Sequence, residues 1–264
     1  MHRISSFALS MSVGCLLAQS PPSAPLAFEA ASVKPSPSGT RFFSMNRLPG
    51  GGLRATGATL GDLLMQANGV ESFQIIGGPE WVNSARYDIY ATTNHDGAPE
   101  NQRRQMIQSL LADRFKVILH RETKELPIYA LTLTKGGSKL VRAEGGTCPD
   151  PPVLSNPCGG FRISNRSLMA GNKVTVAQLA ADLTFMLGRL VVDQTGLNGI
   201  FDIRLEWTPD PNLGRAVNDS EPPPSGDGPS IFTAIQEQLG LKLESRKGPT
   251  EILVIDHAEK PSPD

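Results

Sequence analysis

An excess of charge of either sign is missing from this chain. Its 264 residues carry 25 Lys+Arg against 26 Asp+Glu, a formal net charge of −1. No overall basic field exists to hold nucleic acid or an anionic membrane. Aromatics are sparse at 6%, with two tryptophans and three tyrosines. Three cysteines are present, and none forms the C-x-x-C pair of a redox or zinc centre. Of the histidines, His95, His120 and His257 lie beyond the N-terminal region. They form no H-E-x-x-H pair, and no EF-hand spacing is present. The chain also lacks a G-x-S-x-G elbow and an S-x-x-K. These gaps leave no expected catalytic residue, metal ligand set or cofactor. Beyond the N-terminus no stretch approaches the roughly 20 apolar residues of a membrane span.

Two stretches mimic motifs. "LPGGGLRATG" is glycine-rich but has no G-K-[ST], so it reads as a turn before a strand. "VVDQTGLNG", residues 191–199, is similar to the D-K-T-G of phosphorylated ion pumps, with Gln in place of Lys. Asp193 and Thr195 are better read as anchoring a turn, with Gly196 and Gly199 supplying its positive φ angles.

What is present starts with the N-terminus. Arg3 precedes an uncharged, small and apolar run over residues 4–18, followed by small residues and prolines. That is the pattern of a secretory signal over 1–20, which predicts a periplasmic or extracellular protein. Cleavage near Ala18 or Ser20 would discard Cys15. Gly14 directly before Cys15 also suits a lipoprotein signal, although Ser12 stands where an aliphatic residue is usual. Cys148 and Cys158, in the proline-rich "CPDPPVLSNPC", read as a disulfide of an exported chain.

The chain is written twice. "GGLRATGATLGDLLMQANGV", "FQIIGGPEW" and "ARYDIYATT" are answered by "SLMAGNKVTVAQLAADLTFML", "RLVVDQTG" and "GIFDIRLEWT". Thr59 and Thr175 are expected N-caps. Leu60, Leu63, Leu64 and Ala67 form one apolar stripe, and Val176, Leu179, Ala180, Leu183 and Leu187 the other. A second helix follows in each half. It starts near Pro99 with Met106, Ile107, Leu110 and Leu111 inward, and at Ser230 with Ile231, Ile235 and Leu239 inward, stopped by Gly240. A hairpin is expected to close each half: "FKVILHR" with "LPIYALTLT", and "LKLESR" with "EILVIDH" through a Lys247-Gly248-Pro249 turn.

The result is an α+β fold of two β-α-β-β-α-β-β units, with helices packed on small mixed sheets. The units span 28–135 and 161–258. Residues 136–160 link them, 209–229 form a proline-rich insert of flexible composition, and 259–264 are a tail. Asp88 and Asp202 are the repeated carboxylates, in "RYDIY" and "IFDIR". With Asp193 they are the candidate polar site. A strand-surface or turn-anchoring role is the simpler reading of each.

"FEAASVKPS", "GGPEWVNSARYDI", "LLADRFKVILHRETKELPIYALTL", "VVDQTGLNGIFDIRLEWTPD" and "AIQEQLGLKLESRKGPTEILVIDHAEKPS" together resemble an uncharacterised secreted family expanded in soil Acidobacteria. Similar domains are attached to membrane metallopeptidases of the beta-lactam-sensor type. The resemblance implies export and offers no catalytic residue. A weaker likeness, to the short N-terminal domain of secretins and TonB-dependent receptors, implies an interaction module. The expectation is an exported, non-catalytic protein that binds another protein or a small molecule of the cell envelope. An envelope hydrolase using these carboxylates and a partner of an extracytoplasmic sensor are the alternatives.

Overall fold

The computed structural model describes residues 26–262 except 38, 41, 94–97, 146–147, 149–157, 165–166 and 210–227. The expected signal over 1–20, Cys15, His95 and most of the 209–229 insert lie outside the described residues.

The first half contains β1 (Ala30–Pro35), β2 (Ser44–Arg47), β3 (Leu53–Thr59), α1 (Leu60–Asn68), β4 (Ile75–Gly77), β5 (Arg86–Thr92), α2 (Glu100–Arg114) and β6 (Ile118–Leu133). The second contains β7 (Val141–Arg142), β8 (Arg162–Ser164), β9 (Leu168–Val174), α3 (Val176–Leu187), β10 (Val191–Asp193), β11 (Phe201–Glu206), α4 (Ile231–Leu239) and β12 (Leu241–His257). The class is α+β. The order β-α-β-β-α-β recurs, as β3 to β6 and as β9 to β12. Three four-stranded sheets result, ordered β1-β5-β3-β2, β7-β11-β9-β8 and β10-β6-β12-β4.

Local chemistry sets the helix ends where the sequence marks them. The Thr59 hydroxyl accepts from Asp62 N–H while Asp62 accepts from Thr59 N–H, and Thr175 and Gln178 repeat that capping box. Ser230 Oγ accepts from Thr233 N–H at 3.2 Å. Gly188 and Gly240 end their helices in the left-handed region. The apolar stripes are buried as their spacing requires.

The closing hairpins do not form. "FKVILHRETKELPIYALTL" enters one long strand and "LKLESRKGPTEILVIDH" is another, and they pair with each other. Register runs antiparallel from Leu133 opposite Leu241 to Ile118 opposite His257. Lys247-Gly248-Pro249, expected as a turn, lies extended opposite Pro127, Leu126 and Glu125.

The prolines are tolerated for a geometric reason. Tyr129 N–H donates to Leu190 C=O, and Leu131 C=O accepts from Gln194 N–H, both outside the β6–β12 ladder. Backbone direction alternates along a strand, so the odd-numbered residues of β6, Pro127 among them, aim their backbone outward. In β12, Glu251 C=O accepts from Gln74 Nε2 at 2.9 Å, so Pro249 also aims outward. Neither proline removes a ladder bond.

The crossed strands tie two cores together. One core gathers β3, α1, β5 and α2 residues such as Leu53, Leu63, Ile89 and Ile107, together with Leu253 and Ile255 from β12. The other gathers Met169, Leu179, Ile203 and Ile235, together with Leu131 from β6. β4 joins β12 in parallel at Leu253–Ile255, and β10 joins β6 in parallel at Tyr129–Leu131. The stretch between the repeats also pairs, since β7 lies against Phe201 and Asp202 of β11.

Candidate binding groove

The three carboxylates of the expected polar site each serve the backbone. In "RYDIY", Tyr87 and Ile89 are buried, as are Phe201 and Ile203 of "IFDIR". Asp88 Oδ1 accepts from Gly57 N–H at 2.9 Å and from Ser36 Oγ at 2.6 Å. Asp202 Oδ1 accepts from Lys173 N–H at 3.0 Å. Gly57 and Lys173 both have positive φ, +64° and +53°. Each lies where the pairing register slips, between β3 and β5 and between β9 and β11. The echoed Asp therefore anchors the same β-bulge in each repeat. Asp193 Oδ1 accepts from Thr195 N–H at 2.9 Å and Thr195 Oγ1 at 2.8 Å, an Asx turn. Asp88 and Asp202 lie in different sheets.

Cys148 and Cys158 form a disulfide, with Cα atoms 5.5 Å apart. Next to it, Gly159 N–H donates to Asn172 C=O and Gly159 C=O accepts from Gln178 Nε2 at 2.8 Å. Gly159, beside the bridge, is thus fastened to β9 and to the first turn of α3.

The concave site lies elsewhere. An open groove of about 540 Å³ runs between α2 and the start of β6. Its apolar floor is Leu111, Ala112, Val117, Leu119 and Leu253, and Asn68, Gln108, His120 and Arg121 supply its polar groups. Phe115, fully buried, ends α2, and Lys116 turns the chain with φ +49°. Val117 N–H then donates to Leu111 C=O, which sets β6 beside the helix it has just left. Gln108 Nε2 donates to Ala67 C=O at 2.9 Å and Asn68 Oδ1 at 3.3 Å, fixing α2 against the end of α1.

One rim is a charged cluster. His120 Nε2 lies 2.9 Å from Glu122 Oε1, and Nδ1 lies 2.8 Å from both Asp256 oxygens. The Glu122 hydrogen bond, then that of Asp256, holds the His120 imidazolium above its ordinary value of 6.5. His120, then Lys124, holds the Glu122 carboxyl below its ordinary 4.5. Arg121 pairs with Glu251 on β12. His257, the last residue of β12, contacts Glu259 at 2.9 Å. Among the described residues no group of three or more His, Cys, Asp and Glu is placed to hold a metal ion. No helix among them is long and apolar enough to cross a membrane.

Sequence reasoning missed the groove, whose lining comes from α1, α2, β6 and β12. Residues 61–258 match a family described as "protein of unknown function (DUF3738)". The chain belongs to that family. The DUF3738 match begins inside α1 and runs one residue past β12, so it takes in the groove and both crossed strands. The motifs had led to a family of uncharacterised function, and this is one. No curated protein and no solved structure matches the chain.

Proposed function

We propose that this DUF3738 chain is an exported, non-catalytic binding module that receives a cell-envelope protein or small molecule in the groove between α2 and β6. The groove itself carries the reading: an apolar floor with a few convergent polar groups is the usual form of a ligand site. Asp88, Asp193 and Asp202 support it from the other side, since each is occupied in holding a bulge or a turn. The disulfide fits an oxidising compartment outside the cytoplasm. Intact mass of the chain from envelope fractions distinguishes cleavage near Ala18 from acylation at Cys15.

The test is a ligand-observed NMR screen of small fragments and short peptides against the full chain and against Ala112→Arg. Ala112 is an exposed helix position on the groove floor, so arginine fills the groove without disturbing the core. Hits should bind the parent chain and vanish with the variant. Hits that all survive Ala112→Arg, or a turnover activity that Ala112→Arg leaves intact and Asp88→Asn abolishes, would overturn the reading.

A further inference from the structure

The groove borders an unused stretch of sheet edge. β10 occupies the outer edge of β6 only at Tyr129–Leu131. From Ile118 to Ile128 that edge meets no strand among the described residues. The odd-numbered residues of β6 aim their backbone outward, as the Tyr129 and Leu131 bonds to the β10 segment show. Leu119 and Arg121, both lining the groove, therefore present N–H and C=O groups to it. No turn, loop or cap bond among the described residues takes up these four groups. An unpaired strand edge is a template for another strand. Its outward groups recur about every 6.8 Å, two residues of strand rise, a spacing an extended polypeptide matches and a compact small molecule does not.

The rest of the edge is closed to such pairing. Beyond Arg121 come Glu122, Lys124 and Glu125, then Pro127, whose ring leaves no outward N–H. Charged side chains and proline are what natural sheets use to blunt an edge. The apolar-floored part is the part inside the groove, where Leu111, Ala112 and Val117 can receive a side chain.

We infer that the ligand of the groove is an extended segment of a partner polypeptide, which adds as a short strand to β6 alongside Leu119 and Arg121. This rests on the groove being the binding site. The inserted strand uses the same edge of β6 that β10 pairs with further along, at Tyr129–Leu131. Its main chain supplies the hydrogen bonds, and its alternate side chains meet the floor of the groove.

The probe is a pooled library of acetylated, amidated hexapeptides of alternating apolar and polar residues, titrated into the isotope-labelled full chain. A second pool is N-methylated at every residue, which removes the peptide donors from both edges without removing side chains. The first pool should shift the Leu119 and Arg121 amides and slow their hydrogen exchange, and the methylated pool should bind about tenfold or more weakly, as loss of two or more hydrogen bonds implies. Arg121→Pro deletes one outward N–H with the geometry Pro127 already tolerates, and it should weaken binding more than Arg121→Ala does. If Arg121→Pro does not fold, the two pools decide alone. Equal binding of both pools in the groove overturns strand addition and leaves the binding function standing. Fragments that bind where neither pool does have the same meaning, and no binding by peptides or fragments overturns both.

Discussion

Replacing Leu253 with alanine separates the crossed-strand fold from a local-hairpin fold. Leu253 is 2% exposed and belongs, with Ile255, to the core built mainly from residues 33–115. Truncating a buried leucine removes its transfer free energy and leaves a cavity, a cost of about 2–5 kcal/mol. A mid-range loss of about 3 kcal/mol with a urea slope of about 3 kcal/mol/M lowers the midpoint by about 1 M. The two tryptophans serve as reporters. Trp81 packs against the first core, and Trp207 is buried in the second. With Trp81→Phe and Trp207→Phe backgrounds, urea unfolding followed by fluorescence reports each core in turn. The Trp81 transition should move by the full amount, and the Trp207 transition by the same amount or less. A shift confined to Trp207, the reporter nearer in sequence, would refute the assignment of β12 to the first core.

The paired bulges respond in opposite directions. Gly57→Ala puts a Cβ 2.3 Å from Phe42 C=O at φ +64° and should cost about 2 kcal/mol or more in urea unfolding. Lys173→Gly, at φ +53°, relieves a left-handed non-glycine residue and should be neutral or stabilising by up to about 1 kcal/mol. At the groove rim, the raised His120 value means a contribution fully present below 6.5 that fades as pH climbs through the folded value. The lowered Glu122 value means one present above 4.5 that fades as pH falls through its folded value. The cluster therefore favours the folded state most between these limits. An NMR titration should place His120 above 6.5, and His120→Gln should remove the upper-limb dependence. Reducing the Cys148–Cys158 bridge, or making both residues serine, should lower stability by about 2–3 kcal/mol for a closed loop of this size, measured by denaturant unfolding with and without reductant.

What was legible in the sequence was what is local. A cap and its target lie three residues apart, so Thr59, Thr175 and Ser230 marked their helices correctly. The apolar stripes followed from period alone. β6 and β12 were misread because a long strand with a polar, proline-bearing middle looks like two short strands and a turn. Nothing near Lys247 reveals that its partner is Pro127, 120 positions away. Edge strands β2 and β8, four and three residues long, carry too little pattern to register. The role of Asp88 needed the bulge at Gly57, 31 residues distant. The groove needed four elements placed together.

The exchange of closing strands also governs the order in which the chain can mature. Sequence separations above 100 residues in the β6–β12 ladder are the long-range kind that slow folding. During synthesis the first core stays open until Leu253 and Ile255 have left the ribosome, although every one of its helices was made more than a hundred residues earlier. Until then the nascent chain carries an uncovered apolar face. β12, which supplies Leu253 and Ile255 to the first core and Leu241 to the second, acts as the clasp that lets both halves close at once.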